Sequence, residues 1–233
     1  MNPASYMLVQ MTSARRFNRW MADTLAPYIQ GTVLEAGAGI GNLTAFLHRP
    51  GQSYIAAELE PEHLDALRAR FPCRPGLTIA RCDLLNPRDL RRYHSQIDTV
   101  VCLNVLEHIE DDVTALENLR LCLRCGGRAV ILVPQGPRAY GTLDRVLHHC
   151  RRYTKPDLED KIIIAGFRFE NFIEFNRITF PGWILNSRIL CRKTLSGAQL
   201  RLFDLLVPLW RRIDRFLPWP STSLIAIASR HDC

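Results

Sequence analysis

The sequence predicts an α/β fold: a parallel sheet with helices on both faces. Three observations predict it. Short apolar runs alternate with amphipathic stretches over the first 130 residues. The first of those runs ends in a glycine cluster, Gly37, Gly39 and Gly41. The composition is 47% apolar and 23% charged over 233 residues, which is globular and excludes a disordered or collagen-like chain. The length suits one domain with an insertion rather than two domains.

The elements follow in order. Ser13 to Tyr28 reads as a helix with Phe17, Trp20, Met21 and Leu25 on one face. Thr32 to Ala36 is a buried strand, and Asn42 to His48 has helical spacing. Tyr54 to Ala57 is the second strand. Pro61 opens a helix carrying Leu64, Leu67 and Phe71, at a first-turn position where its missing N–H costs nothing. Leu77 to Ala80 and Thr99 to Leu103 are the third and fourth strands. Asp111-Asp112 starts a helix that runs through Leu123 and stops at Gly126-Gly127, and Ala129 to Val133 is the fifth strand. Pro156 to Ala165 is a helix, Phe167 to Phe175 the sixth strand and Thr222 to Ser229 the seventh. Between the last two lies an amphipathic stretch, Gln199 to Leu217. Leu200, Phe203, Leu206, Trp210, Ile213 and Leu217 form its apolar side, and Pro208 bends or interrupts it. The expected organisation is one domain over 1–233, with an N-terminal helical cap over 1–30 and an inserted helical cap over 176–221.

Charge is unevenly spread. Only Lys155, Lys161 and Lys193 are lysines, so 27 of the 30 basic residues are arginine. Residues 1–137 carry 14 arginines and 14 acids, whereas residues 138–233 carry 16 basic residues and 9 acids, so the net +7 belongs to the C-terminal part. Such asymmetry points to nucleic acid, an anionic membrane surface or an acidic substrate. No apolar run reaches the length of about 18 residues that spans a membrane, and the N-terminus lacks the pattern of a secretion signal; a cytoplasmic protein is expected. The eight cysteines are irregularly spaced and read as reduced thiols. Cys122-x-x-Cys125 has no second pair at zinc spacing, so no metal is expected.

The chemistry concentrates at the carboxyl ends of successive strands, where open α/β sheets bind ligands. Glu35-Ala36-Gly37-Ala38-Gly39-Ile40-Gly41 lets the backbone turn sharply and approach a ligand without side-chain clash. Glu58 ends the second strand, where a carboxylate accepts hydrogen bonds from both hydroxyls of a ribose. Asp83 follows the third strand at the position of an adenine edge.

Together these segments resemble the class I S-adenosylmethionine-dependent methyltransferases, and more specifically a bacterial small-molecule subgroup. Val33 to Asn42 matches the family's first motif, Glu58 its ribose-binding acid, Asp83 the acid beside adenine, and Leu103-Asn104-Val105-Leu106-Glu107-His108-Ile109 the segment walling the cofactor pocket. The resemblance covers residues 30–135 with specific motifs and Phe167 to Ser229 more loosely. It implies a Rossmann-like three-layer fold with a seven-stranded, mainly parallel sheet. It also implies S-adenosylmethionine as cofactor, with contacts at Glu35, Gly37, Ala38, Gly39, Gly41, Asn42, Glu58, Leu59, Cys82, Asp83, Leu84, Asn104, Val105 and Leu106. Tyr6 is within reach of the same ligand if the N-terminal helix covers it. Glu35 either offsets positive charge at the cofactor's amino-acid end or holds the glycine loop in shape.

The acceptor is less legible. Glu58-Leu59-Glu60-Pro61 and Gly41-Asn42-Leu43-Thr44 are similar to adenine dimethyltransferases of ribosomal RNA, but those carry prolines and an aromatic ring after the fourth strand to stack a flipped base. Asn104-Val105-Leu106-Glu107 has neither, so a small molecule is the expected acceptor and nucleic acid is not. After the fifth strand, Tyr140 to Asp144 and His149 to Thr154 look like a subgroup with a Gly-His-x-Arg-Arg-Tyr segment, with His148 in place of the glycine. His149 is the expected general base, with Tyr140 and Tyr153 as alternatives; the competing reading makes His149, Arg151 and Asp144 a structural anchor. His108, Arg152, Phe180, Trp183 and Asn186 are the candidate acceptor contacts. The stretch 199–219 either packs on its own domain or rests on a membrane, with arginines at headgroups and Trp210, Phe216 and Trp219 in the acyl boundary. The expected activity is methyl transfer to a small molecule, at oxygen, on a hydrophobic, anionic or lipid-linked metabolite. RNA methylation and non-catalytic cofactor binding are the alternatives.

Overall fold

A computed structural model describes residues 3–194 and 196–231. The strands are β1 (Val33–Ala36), β2 (Tyr54–Glu58), β3 (Leu77–Arg81), β4 (Ile97–Leu103), β5 (Leu123–Pro134), β6 (Arg168–Phe175) and β7 (Ser223–Ser229). They form one sheet in the order β3-β2-β1-β4-β5-β7-β6. All neighbouring pairs are parallel up to β5, and β7 runs antiparallel to both β5 and β6. This is the seven-stranded, mainly parallel sheet that the sequence predicts.

The helices are α1 (Pro3–Ser13), α2 (Arg15–Leu25), α3 (Thr44–Leu47), α4 (Pro61–Arg70), α5 (Pro87–Leu90), α6 (Asp112–Cys122), α7 (Thr142–Val146), α8 (Lys155–Ile164), α9 (Phe180–Ile184) and α10 (Gly197–Ile213). Because strand side chains alternate between faces, the sheet feeds two cores. Leu34, Ile55, Val100, Ile131 and Ala226 pack with Leu116 and Leu119 of α6 and with Leu158 and Ile162 of α8. Val33, Ala56, Val101, Val130 and Ile227 pack with Phe17, Trp20 and Met21 of α2 and with Val207 of α10. Strands buried on both faces read as continuous apolar runs, which is why periodicity found them.

Several boundaries differ from expectation. The helix expected over Ser13 to Tyr28 is α2 followed by a 3-10 turn over Ala26–Tyr28, and a further helix, α1, precedes it beyond buried Ala14. The predicted Asn42–His48 helix is the single turn α3. The Asp111 carboxylate accepts the Thr114 N–H and caps α6, but α6 ends at Cys122 rather than at the glycines, because Leu123 already pairs with Ile97 of β4. Cys125 therefore lies on β5, and it is disulfide-bonded rather than a thiol. Cys122 is a buried free thiol, pushed up to about 12 by burial. Helix α10 continues through Pro208 without interruption. Asp204 on its inward side and Asp214 in the 3-10 turn that follows accept the backbone N–H groups of Phe17 (2.9 Å) and Ile178 (2.8 Å).

Asp112 ties α6 to the segment after β5. Its buried carboxylate accepts from Arg151 (2.7 Å), Tyr153 (2.8 Å) and Lys161 (2.9 Å). Replacing it with alanine leaves these groups without their acceptor. Asp112→Ala is expected to cost about 3 kcal/mol of stability, read as a lower urea midpoint with an unchanged slope.

Candidate active site

The glycine loop leaves β1 at the centre of the sheet. Gly37, Gly39 and Gly41 have φ of +73°, +56° and +79°, values that side chains rarely adopt. A Cβ on Gly37 would stand 2.3 Å from Val105, and one on Gly41 would stand 2.5 Å from Phe71, so both glycines are also required by close packing. At Gly39 the nearest heavy atoms are in Leu8 of α1, at 3.8 Å, so this is the one glycine of the three where a Cβ would meet only ordinary van der Waals contact. Beneath the loop, Glu35 is buried and accepts from Thr44 (2.6 Å) and Tyr54 (2.9 Å). Burial pushes its carboxyl up to about 7 in spite of those two donors. These contacts favour the reading in which Glu35 holds the loop in shape.

At the end of β2, Glu58 closes the other side of the loop. One carboxylate oxygen accepts the Gly39 N–H (2.7 Å), and the other accepts the N–H groups of Leu59 (2.9 Å) and Glu60 (3.0 Å). Burial works against ionisation here, but His63 and these backbone donors hold the carboxyl below its usual range. Glu58 is thus kept anionic beside the glycine cradle. Asp83 accepts the Leu85 N–H (2.9 Å) in the turn after β3, flanked by buried Cys82 and Leu84. Leu59 is partly exposed next to Glu58.

Helix α1 lies on the glycine loop. The Asn42 amide donates to Leu8 O (2.8 Å) and accepts from the Thr12 hydroxyl (2.9 Å), while Ser5 meets His63 at 3.2 Å. Asn42 is therefore committed to α1. Tyr6 is exposed on the same helix, its hydroxyl accepting from Gln10. Leu8 and His63 were not expected from the sequence; only their place in three dimensions brings them to the cradle.

After β4, Asn104 adopts a positive φ of 54°, Val105 packs beneath Gly37, and Leu106, Glu107 and His108 form a short turn. Glu107 is fully buried, and neither of its carboxylate oxygens has a hydrogen-bond partner. Burial pushes it up to about 8, and the nearby Arg152 guanidinium only partly offsets that. The His108 ring meets the His149 ring edge-on, with centroids 4.9 Å apart. Desolvation, followed by the neighbouring His149, holds the His108 imidazole neutral down to about 4.

The segment after β5 is organised by Asp144. This fully buried carboxylate accepts from Arg152 Nε (2.7 Å) and from the Gly141 N–H (2.9 Å), and meets His149 Nδ1 at 3.0 Å. Burial opposes its charge, but His149 and Arg152 hold the carboxyl below its usual range. The bond at Nδ1 leaves His149 Nε2 free of Asp144. His148, where the similar subgroup has glycine, takes φ +58°, so the left-handed turn persists without the glycine. Of the alternative bases, Tyr140 donates its proton to His149 O (2.7 Å) and Tyr153 is fully buried and donates to Asp112 (2.8 Å).

The segment between β6 and β7 reaches this loop. Trp183 of α9 donates to Ala139 O (3.2 Å), and its ring lies under the Arg152 guanidinium, 4.5 Å from the centroid. Thr142 donates to Ser187 O (2.7 Å), and a Cβ on Gly141 would stand 2.2 Å from the Ser187 hydroxyl. Asn186 is buried and committed to Gly182 O and Arg192, and Phe180 is half-buried at the start of α9. Trp183 and Arg152 are thus brought to His149, whereas the Asn186 amide is turned into its own segment. A separate open groove of about 380 Å³ lies between α2 and α10, lined by Arg15, Arg16, Arg19, Arg211, Phe46 and Val207. It does not include the glycine loop or His149.

Residues 34–129 match the model of a methyltransferase domain. The chain is 46% identical over 64 residues to a Methanosarcina mazei protein named "Probable ribosomal RNA small subunit methyltransferase A", covering 28% of this chain and 23% of that one. It is 26% identical over 168 residues to the ubiquinone biosynthesis O-methyltransferase of Psychrobacter arcticus, covering 65% of each. The chain therefore spans less than two thirds of the length of either curated relative. Among solved structures, an S-adenosylmethionine-dependent methyltransferase from Archaeoglobus fulgidus superposes with a TM-score of 0.63 at 16% identity, over 93% of this chain and 94% of that one.

Proposed function

We propose that this chain is a class I S-adenosylmethionine-dependent methyltransferase and that it methylates an oxygen nucleophile on a hydrophobic, anionic or lipid-linked small molecule; the methyltransferase-domain match and the shared fold support the first part. The observation that carries the reading is the contact path from cradle to loop. Gly37 abuts Val105, Val105 leads to Glu107 and His108, and His108 meets His149. The cofactor cradle and the loop after β5 are thereby neighbours.

When bound, S-adenosylmethionine supplies an electrophilic methyl group on a sulfonium. Gly37, Ala38 and Gly39 give the backbone surface for it, Glu58 the ribose acid, and Cys82, Asp83 and Leu84 the adenine side. Asn104, Val105 and Leu106 wall the pocket, and α1 covers it through Leu8 and Tyr6. His149, oriented by Asp144 through Nδ1, presents Nε2 to the acceptor hydroxyl and takes its proton. Arg152, stacked on Trp183 and paired with Asp144, fixes the wall beside that site. Holding the two reactants in line is the larger part of the work. The similarity to ubiquinone O-methyltransferases supports oxygen as the nucleophile.

RNA as acceptor is a second reading, supported by the 46% identity over 64 residues to the archaeal relative. Methyl label recovered in RNA and in no lipid or small-molecule extract would replace the first reading with this one.

The segment between β6 and β7 also supports peripheral contact with an anionic membrane. No helix among the described residues is long and apolar enough to cross a membrane. Along α10 and the turn after it, however, Leu202, Leu205, Leu209 and Phe216 are 59%, 57%, 50% and 70% exposed, at the spacing of one helical stripe. Over 176–221 there are eight basic side chains against Asp204 and Asp214, and both aspartates are buried. The outer surface thus presents leucines flanked by Arg201, Arg212 and Arg215, which fits headgroups and the acyl boundary. The exposed stripe differs from the expected one: Trp210 faces the core, and leucines take its place outside.

Three outcomes follow from this reading. Glu58→Ala is expected to raise the dissociation constant for S-adenosylmethionine at least tenfold by calorimetry; an unchanged value removes Glu58 from the site. His149→Ala is expected to lower kcat by a factor of about 100 or more while the cofactor's dissociation constant stays within about twofold. The protein is expected to co-sediment with phosphatidylglycerol vesicles at low salt, with Leu205→Glu or 0.5 M salt (roughly a 4 Å screening length) releasing it. Equal binding to neutral vesicles would contradict the electrostatic part.

A further inference from the structure

Among the described residues, one buried carboxylate has no hydrogen-bond partner at either oxygen. Glu107 is fully buried, neither of its oxygens accepts a hydrogen bond, and the nearest cation is already committed. The Arg152 guanidinium gives Nε to Asp144 and a terminal N–H to Gln135 O (3.0 Å). A buried acceptor left unsatisfied costs about 1–3 kcal/mol, so such a group in a folded protein calls for a ligand. Two imidazoles stand at the same place. A carboxylate oxygen of Glu107, a ring nitrogen of His108 and a ring nitrogen of His149 all lie within 4.8 Å of one another.

We infer that Glu107, His108 and His149 form a binding site for a divalent transition-metal cation beside the cofactor cradle. Two neutral imidazoles and one carboxylate are the donor set preferred by zinc, manganese and iron, rather than by calcium or magnesium, which favour oxygen. The site also has its outer support. Asp144 engages His149 Nδ1 at 3.0 Å, so Nε2 is the nitrogen left to coordinate, the carboxylate–histidine–metal arrangement found around bound metals. Ligands at about 2.1 Å from a tetrahedral cation stand about 3.4 Å apart, so the three side chains need to close by little more than about 1 Å. His108 is solvent-exposed and gives the cation a way in. Three protein donors leave a coordination position open, as in metal sites that act on a substrate.

The use of that open position rests on the methyl-transfer reading. It holds the acceptor's hydroxyl oxygen, and the O–H bond then breaks with the proton passing to water and the electron pair staying on oxygen. With the cation bound, His149 is a ligand through Nε2 and the proton goes to water; without it, Nε2 takes the proton as in the methyl-transfer reading above. The cysteine pair is not involved: Cys122 ends α6 in the core and Cys125 is disulfide-bonded.

The test is titration of chelator-treated, full-length protein with MnCl2, followed by calorimetry and by electron paramagnetic resonance. One equivalent is expected to bind with a micromolar or tighter constant and to show nitrogen coupling from imidazole. His108→Ala and His149→Ala are each expected to weaken binding at least tenfold, and Glu107→Gln likewise. His108→Ala alters an exposed side chain, so it keeps the test decisive even if the Glu107 variant fails to fold. Absence of saturable binding, or binding unchanged in both histidine variants, overturns the site. The two readings fail separately. Cation and cofactor both bound without methyl transfer contradicts the proposed activity alone, and methyl transfer at full rate in protein that binds no Mn2+ contradicts the cation site alone.

Discussion

The buried carboxylate of Asp144 is the interaction on which the rest of the site depends. One side chain receives the Arg152 guanidinium and the Gly141 N–H and orients the His149 ring. A charge taken out of water is tolerated only when paired and fully hydrogen-bonded, and here the pairing fixes three separate things. Gly141 starts α7 against Ser187 of the segment between β6 and β7. Arg152 lies on Trp183 of that same segment. His149 is turned toward His108 and the end of β4. A single ionised group therefore joins the sheet's carboxyl edge, the loop after β5 and the inserted helices.

The arrangement places unlike electrostatic environments side by side. Around the cradle, Glu58 is held anionic by backbone donors and His63. A short way along the contact path, Glu107 is starved of donors, and burial pushes it up to about 8. The difference is one of hydrogen bonding and not of residue type: both are glutamates at the carboxyl edge of the sheet, one at the end of β2 and one in the turn after β4, the two strands that flank β1. Glu58 faces a turn whose N–H groups point at it, whereas the turn after β4 directs its N–H groups elsewhere, as in His108 N–H to Val105 O.

How much of this was legible in the sequence depends on whether the cause was local. The strands were legible because parallel strands buried on both faces must be apolar throughout. The glycine loop, Glu58 and the segment after β4 were legible because each needs a particular residue type at a strand end. Helix α1 was not, since its residues show no apolar stripe like the one that Phe17, Trp20, Met21 and Leu25 form in α2. The end of α6 was missed because pairing of Leu123 with Ile97 is a tertiary event that overrides the glycine stop at Gly126-Gly127. The inward side of α10 was legible from its apolar positions, Leu200, Phe203 and Trp210 among them, but the inward carboxylates were not: Asp204, and Asp214 in the turn after the helix, satisfy N–H groups of Phe17 and Ile178, which are distant in the chain. His148 shows the converse, a departure from glycine that the backbone absorbs at φ +58°.

The central claim is that the glycine cradle and the loop after β5 form two halves of one methyl-transfer site. A crystal structure with S-adenosylhomocysteine bound tests it most directly. The account predicts the ribose at Glu58, the amino-acid portion along Gly37 to Gly39, and the sulfur facing the gap between His108 and His149. A nucleoside bound away from Glu58, or a sulfur turned from His149 toward the α2–α10 groove, would contradict it.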